Sequence, residues 1–167
     1  MRRLAKDAVD ELSPESRAMN TANANADYAG DIAVTDAWEM LKADPKAQLI
    51  DVRTAAEWTY VGLPDITDLG REIHTIEWQT FPSGAINPEF AAITAGEMQR
   101  QGIGKDTPLL FLCRSGVRSK SAAIAMTRAG FTRAYNITGG FEGGLDGQGH
   151  RGGVSGWKAA GLPWRQG

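Results

Sequence analysis

A chain of 167 residues, 42% hydrophobic and 23% charged, has the length and composition of one folded domain with a buried core. Its net charge of −2 supplies no general attraction for nucleic acid or an anionic bilayer, and no basic segment is interleaved with aromatics as a base-stacking platform requires. One cysteine makes no internal disulfide, and no run approaches the roughly 18 apolar residues of a membrane span. The expectation is a cytoplasmic protein with no nucleic-acid or membrane partner.

Residues 1–28 are polar and rich in Ala and Asn, with two early arginines but no apolar stretch after them. They are expected to form a partly helical or disordered extension rather than a secretory signal. A short helix is expected in "TDAWEMLKAD", with Thr35 as its N-cap and Trp38 and Leu41 on one face. "QLIDV" is a short apolar run of the buried-strand kind. "RTAAEWTYV" is weakly helical and stops near Gly62, Leu63 and Pro64, and "REIHTIEW" alternates as a strand.

"PEFAAITAGEMQRQG" reads as a helix with Phe90, Ile93 and Met98 inward and Gly102 near its end. "TPLLFL" is the clearest strand, continuous and apolar as in a sheet covered on both faces. "RSKSAAIAMTRAG" is a helix closed by Gly130, "TRAYNI" a further strand, and "WKAAG" the start of a last short helix after a glycine-rich loop. Alternating strands and helices imply an α/β domain with a mainly parallel sheet flanked by helices.

The one cysteine stands in "FLCRSGVRSK", where a buried strand gives way to a helix. The start of a helix carries unpaired N–H groups and partial positive charge, so an anion is favoured there. A thiolate at Cys113 is such an anion, and Arg114 and Arg118 add full positive charge in support of it. Gly116 lets the backbone turn tightly enough to aim N–H groups at the sulfur. A lone cysteine is more often a small buried hydrophobe. Two arginines and a glycine around it argue instead for a nucleophile in an anion-holding loop.

"CRSGVRS" resembles the active-site loop of the rhodanese-like sulfurtransferases, Cys-Arg-x-Gly-x-Arg, and "LIDVRTAAEW" resembles their Asp-Val-Arg signature. "GAINP", "AGFTRAYNITGGFEGG" and "GWKAAGLPW" are similar to later parts of the same family. The resemblance implies a rhodanese-like three-layer domain over residues 29–167 and a single-domain thiosulfate sulfurtransferase. It departs from the family after Gly62, where Leu63 stands in place of a histidine and an insertion at about 64–83 precedes Gly84. The insertion brings Trp78 and Phe81, expected to line the site mouth.

The family implies that Cys113 is the catalytic residue. Arg114, Ser115, Gly116, Val117 and Arg118 would bind the donor, and Asp51, Arg53 and Ser119 would support the site. Asp51 and Arg53 read as a structural ion pair, with Glu57 as a further partner for Arg53. The implied partners are a small anionic sulfur donor and a thiol or cyanide acceptor, with a protein acceptor as a further option. No cofactor or metal is implied: one cysteine and the distant His74 and His150 have no ligand spacing.

Four other readings are weaker. A sulfur-carrier or binding module with little turnover would share every motif. A cysteine phosphatase loop reads Cys-x5-Arg, one residue longer than the run from Cys113 to Arg118, and Leu112 replaces the histidine that often precedes that cysteine. A Cys–His hydrolase lacks a motif around either histidine. Gly147, Gly149 and Gly152 satisfy G-x-G-x-x-G, but no strand precedes them closely and the ribose-binding acid has no room to follow.

Overall fold

The structure, a computed structural model, describes residues 27–166. The expected N-terminal extension therefore lies outside the described residues, except for Asp27 and Tyr28.

Five parallel strands form the central sheet in the order β1-β6-β5-β2-β4. They are β1 (Gly30–Ala33), β2 (Gln48–Asp51), β4 (His74–Thr75), β5 (Leu109–Leu112) and β6 (Ala134–Thr138). The helices are α1 (Val34–Ala43), α2 (Ala55–Tyr60), α3 (Phe90–Arg100), α4 (Val117–Arg128) and α5 (Gly156–Ala159). The short β3 (Leu63–Pro64) pairs antiparallel with β7 (Trp164–Arg165), tying the end of the chain to the segment after α2.

β2 and β5 are buried at every position, which is why they read as unbroken apolar runs. Their alternate residues feed two cores. Leu49, Leu110, Leu112, Tyr135 and Ile137 pack with Ala37 and Leu41 of α1 and Trp157 of α5. Ile50, Leu109, Phe111 and Ala134 pack with Phe90 and Met98 of α3 and Ala122, Ala123 and Met126 of α4. Cys113 continues the second set. The result is the three-layer α/β domain expected from the sequence.

Three local expectations are corrected and one strand is added. Thr35 is not an N-cap: α1 starts at Val34 directly from β1, so Ala33, a strand residue with no capping oxygen, holds that position. Ile93 is 46% exposed, and Thr94 is buried in its place, because Phe90, Thr94 and Met98 repeat at the i, i+4, i+8 spacing of one helical stripe. "REIHTIEW" pairs as a strand only at His74 and Thr75, although Ile76 and Trp78 still donate to Asp51 and Val52. Strand β1, four residues with one exposed, was not read from the sequence.

The loop between β5 and α4 is braced from behind by the residues after β6. Phe141 N–H donates to the Cys113 carbonyl at 2.8 Å, and the N–H groups of Glu142 and Gly143 donate to that of Arg114 at 3.0 and 3.1 Å. A Cβ on Gly140 would lie 2.4 Å from the Cys113 carbonyl oxygen, so this contact admits glycine alone. The glycine-rich tail thus supports the cysteine loop, with α5 held in turn by Trp157 N–H on the Gly140 carbonyl.

Candidate active site

The carboxyl ends of β2 and β5 lie side by side, with Asp51 opposite Leu112 and Val52 N–H bonded to the Leu112 carbonyl. This brings the Asp51–Arg53 turn and the Cys113 loop to one edge of the sheet, where loops of open α/β folds gather ligands.

Cys113 is 1% exposed. Gly116, the residue before α4, adopts φ +114° and donates its N–H to Sγ at 3.1 Å. A side chain there would meet only ordinary contacts, so the backbone angle is what calls for glycine. Ser115 is half-buried, and Val117, the first residue of α4, is 76% exposed. Ser119, fully buried one turn into α4, places Oγ 3.1 Å from Sγ.

A chain of hydrogen bonds runs from the sulfur into the sheet. Ser119 Oγ donates to Asn136 Oδ1 at 2.6 Å, and Asn136 Nδ2 donates to Asp31 Oδ1 at 3.0 Å. Tyr28 donates to the same carboxylate oxygen at 2.8 Å. Burial, then the hydrogen bond to Asp31 and its charge, push the Tyr28 hydroxyl up to about 12, so it remains a donor. Sequence reading missed this chain; its visible trace is Asn136, one polar residue inside the apolar strand "AYNIT".

The three arginines differ sharply. Arg53 is completely buried, with Nε and Nη2 on Asp51 at 2.9 and 2.6 Å, Nη2 on the Gly62 carbonyl at 2.7 Å, and its plane 4.3 Å from the centre of Phe141. Arg118 makes a two-pronged bond to Glu57, Nη1–Oε1 2.7 Å and Nη2–Oε2 3.0 Å. Glu57 is therefore hydrogen-bonded to Arg118, and Arg53 acts on it through charge alone. Arg114 is exposed and makes no ion pair among the described residues.

Glu57 also closes the start of α2: its N–H donates to Thr54 Oγ1 while its carboxylate accepts from Thr54 N–H. Burial opposes its charge, but the hydrogen bond and charge of Arg118, with Thr54 and Arg53 adding, hold the carboxyl below the usual glutamate range. The hydrogen bond to Glu57, acting against burial and aided by the charges of Glu57, Cys113 and Asp51, raises Arg118 further above its ordinary value. Both partners stay ionised.

Beside this pair opens a cleft of about 500 Å³, lined by α2, by Arg114 and Arg118, and by Gln79 to Pro82. Phe81 (70% exposed) and Tyr60 (78% exposed) form its apolar rim. Trp78 does not line it: its ring packs edge-on against Phe90 at 5.1 Å. Cys113 lies beneath the surface, and Arg118 is the residue that both lines the cleft and acts electrostatically on the sulfur. Among the described residues no group of three or more His, Cys, Asp or Glu is placed to hold a metal, and no helix is long and apolar enough to cross a membrane.

Comparison with known proteins places this architecture. Residues 29–167 match the model of the STR4 middle domain. The crystal structure of Rv0390 from M. tuberculosis superposes with a TM-score of 0.74 and is 53% identical, covering 84% of this chain and 99% of that one. An uncharacterized protein of Rickettsia conorii, RC0915, is 34% identical over 134 residues, 80% of this chain and 95% of its own. Rhodanese-like domain-containing protein 4 of Arabidopsis thaliana is 29% identical over 129 residues, 77% of this chain and 24% of the plant protein. The thiosulfate sulfurtransferase GlpE of Actinobacillus succinogenes is 26% identical over 127 residues, 76% of this chain and 82% of GlpE.

Proposed function

The chain belongs to the STR4 middle-domain family and is rhodanese-like, and from that premise we propose that Cys113 carries sulfane sulfur from a small anionic donor to a nucleophilic acceptor. The observation that carries the reading is the sulfur itself. It sits at the end of a buried strand, takes an N–H from the turn before α4, and lies within the field of Arg118.

In the first step the Cys113 thiolate attacks the outer sulfur of a donor such as thiosulfate. A new S–S bond forms, the donor's S–S bond breaks, and its electron pair leaves on sulfite. In the second step an acceptor thiolate or cyanide attacks the terminal sulfur, and the electron pair returns to Cys113. The scheme is covalent and ping-pong, and it needs no cofactor. Arg114, which pairs with no carboxylate among the described residues, holds the donor's anionic end by charge-assisted hydrogen bonds, and the backbone of Ser115, Gly116 and Val117 cradles the persulfide. Asp51 and Arg53 keep the neighbouring turn rigid.

Residues 29–167 form the working unit, with the 64–83 insertion supplying Phe81 to the rim where an acceptor enters. A second protein is a possible acceptor, and a reaction that needs its one thiol free suits the reducing cytoplasm.

One observation favours a slower carrier. Arg118, the second cation of the loop, is already held by Glu57, and the sulfur is almost fully covered. Thiosulfate:cyanide turnover separates the two readings. Thiocyanate formed over many cycles by the wild type and not by C113S supports the enzyme. Persulfide without thiocyanate supports the carrier. Neither product sinks both.

A further inference from the structure

The hydrogen bonds behind Cys113 have a fixed direction, and that direction starts at Asp31. A carboxylate only accepts, so the atom of Asn136 facing it is the amide nitrogen, and the atom facing Ser119 is the amide oxygen. Ser119 has one hydroxyl proton, and Asn136 Oδ1, 2.6 Å away, takes it. Toward Cys113 the Ser119 Oγ then offers only lone pairs, at 3.1 Å. Ser119 is fully buried and Asn136 3% exposed, so water offers no ready substitute at either contact.

We propose that Asp31 and Asn136 are positioning residues that keep the Ser119 proton on Asn136, so that the resting sulfur donates its own S–H to Ser119. Thiolate forms when the Ser119 hydroxyl turns to the sulfur, which leaves Asn136 Oδ1 buried without its donor. The chain is a brake on ionisation that acts against the positive charge of the arginines. Charged groups on the remaining elements around the loop are Arg114 in the loop, Arg118 on α4 with its partner Glu57 on α2, and the Asp51–Arg53 pair after β2, and of these Arg118 interacts electrostatically with Cys113. At the far end Lys120 lies 5.8 Å from the Tyr28 ring centre. The substitution Asn136→Leu alters none of them.

The proposal deepens the sulfur-transfer reading and rests on it for its use, but its test needs no turnover. Cys113 is the chain's single cysteine, so thiolate absorbance titrated against pH, with C113S as blank, reports this sulfur alone. In N136L the Ser119 proton loses Asn136 and is free to turn to the sulfur 3.1 Å away, and the thiolate fraction at neutral pH rises about 3- to 10-fold, the effect of one hydrogen bond to a charged group. D31A, at the half-buried end of the chain, frees the Asn136 amide to turn over and gives a smaller rise. It also removes a negative charge, so both substitutions are repeated in an S119A background. There the orientation effect disappears, whereas an effect of charge or loosened packing persists.

A folded N136L with an unchanged titration, or the same rise in the S119A background, overturns the proposal. Should N136L not fold, D31A decides on the same two criteria. A protein that never forms a persulfide yet shows these shifts would refute the function and leave this inference standing.

Discussion

Two arginines follow adjacent strands of one parallel sheet, Arg53 in the turn after β2 and Arg118 in the first turn of α4 beyond β5, and do unlike things. Arg53, after β2, is wholly buried, paired with Asp51 through Nε and Nη2, and stacked on Phe141. Arg118, after β5, has a side chain 18% exposed, faces a cleft, and bonds Glu57, itself 21% exposed. In sequence both are an arginine a few residues after a buried strand. Depth separates them: a cation removed from water must be paired for the fold to exist, while one at a cleft wall can exchange partners.

The largest effect expected from this contrast is on stability. R53A leaves the Asp51 carboxylate buried and unpaired, and should lose about 3–5 kcal/mol, which consumes much of the stability of a domain this size. R118A, opening onto solvent, should lose about 1 kcal/mol. Urea unfolding of both variants checks the ranking. Equal losses would erase the distinction between the two strand ends.

Next in size is an effect on donor binding, which sharpens the contrast within the loop. Arg114 has no carboxylate partner among the described residues, so R114A should raise KM for thiosulfate about 10-fold, the order of one charge-assisted contact. R118A should change it less, because its guanidinium is already engaged by Glu57. Steady-state kinetics with thiosulfate varied at fixed cyanide measures both. A larger effect at Arg118 would mean that the donor displaces Glu57.

The smallest effect is on acid stability. Glu57 has its carboxyl held below the ordinary value of 4.5, so its bond to Arg118 contributes fully above that value and is lost as pH falls through the lower, folded value. Arg118, raised above its own ordinary value, does not titrate in acid. E57Q keeps the cap on α2, since glutamine also serves at that position. It should therefore unfold with a flatter pH dependence than the wild type below about pH 4.5, as thermal melts across that range would show.

The sequence made the frame of the molecule legible for a physical reason: β2 and β5 are buried on both faces, so their apolar runs admit few other readings. The same burial made "LIDV" and "LLFL" visible as neighbours of the cysteine loop. What stayed hidden was pairing between distant segments. Glu57 was assigned to Arg53, four residues away, but the fold carries Arg118 across 61 positions to reach it. Asp31 and Asn136, 105 positions apart, meet because β1 and β6 pair in register. Strand β1 itself was too short and too mixed to show a period. The glycine-rich tail offered a false nucleotide motif, and its role as a brace depends on where Gly140 meets the Cys113 carbonyl. Local chemistry was readable; long-range partners were not.

The central claim is that Cys113 holds transferable sulfur, and intact-protein mass spectrometry tests it most directly. After incubation with thiosulfate and removal of excess donor, the wild type should be about 32 Da heavier, the order of one added sulfur, and cyanide should remove that mass. C113S should show no change. A wild type that gains no mass, or an adduct that survives in C113S, would contradict the account.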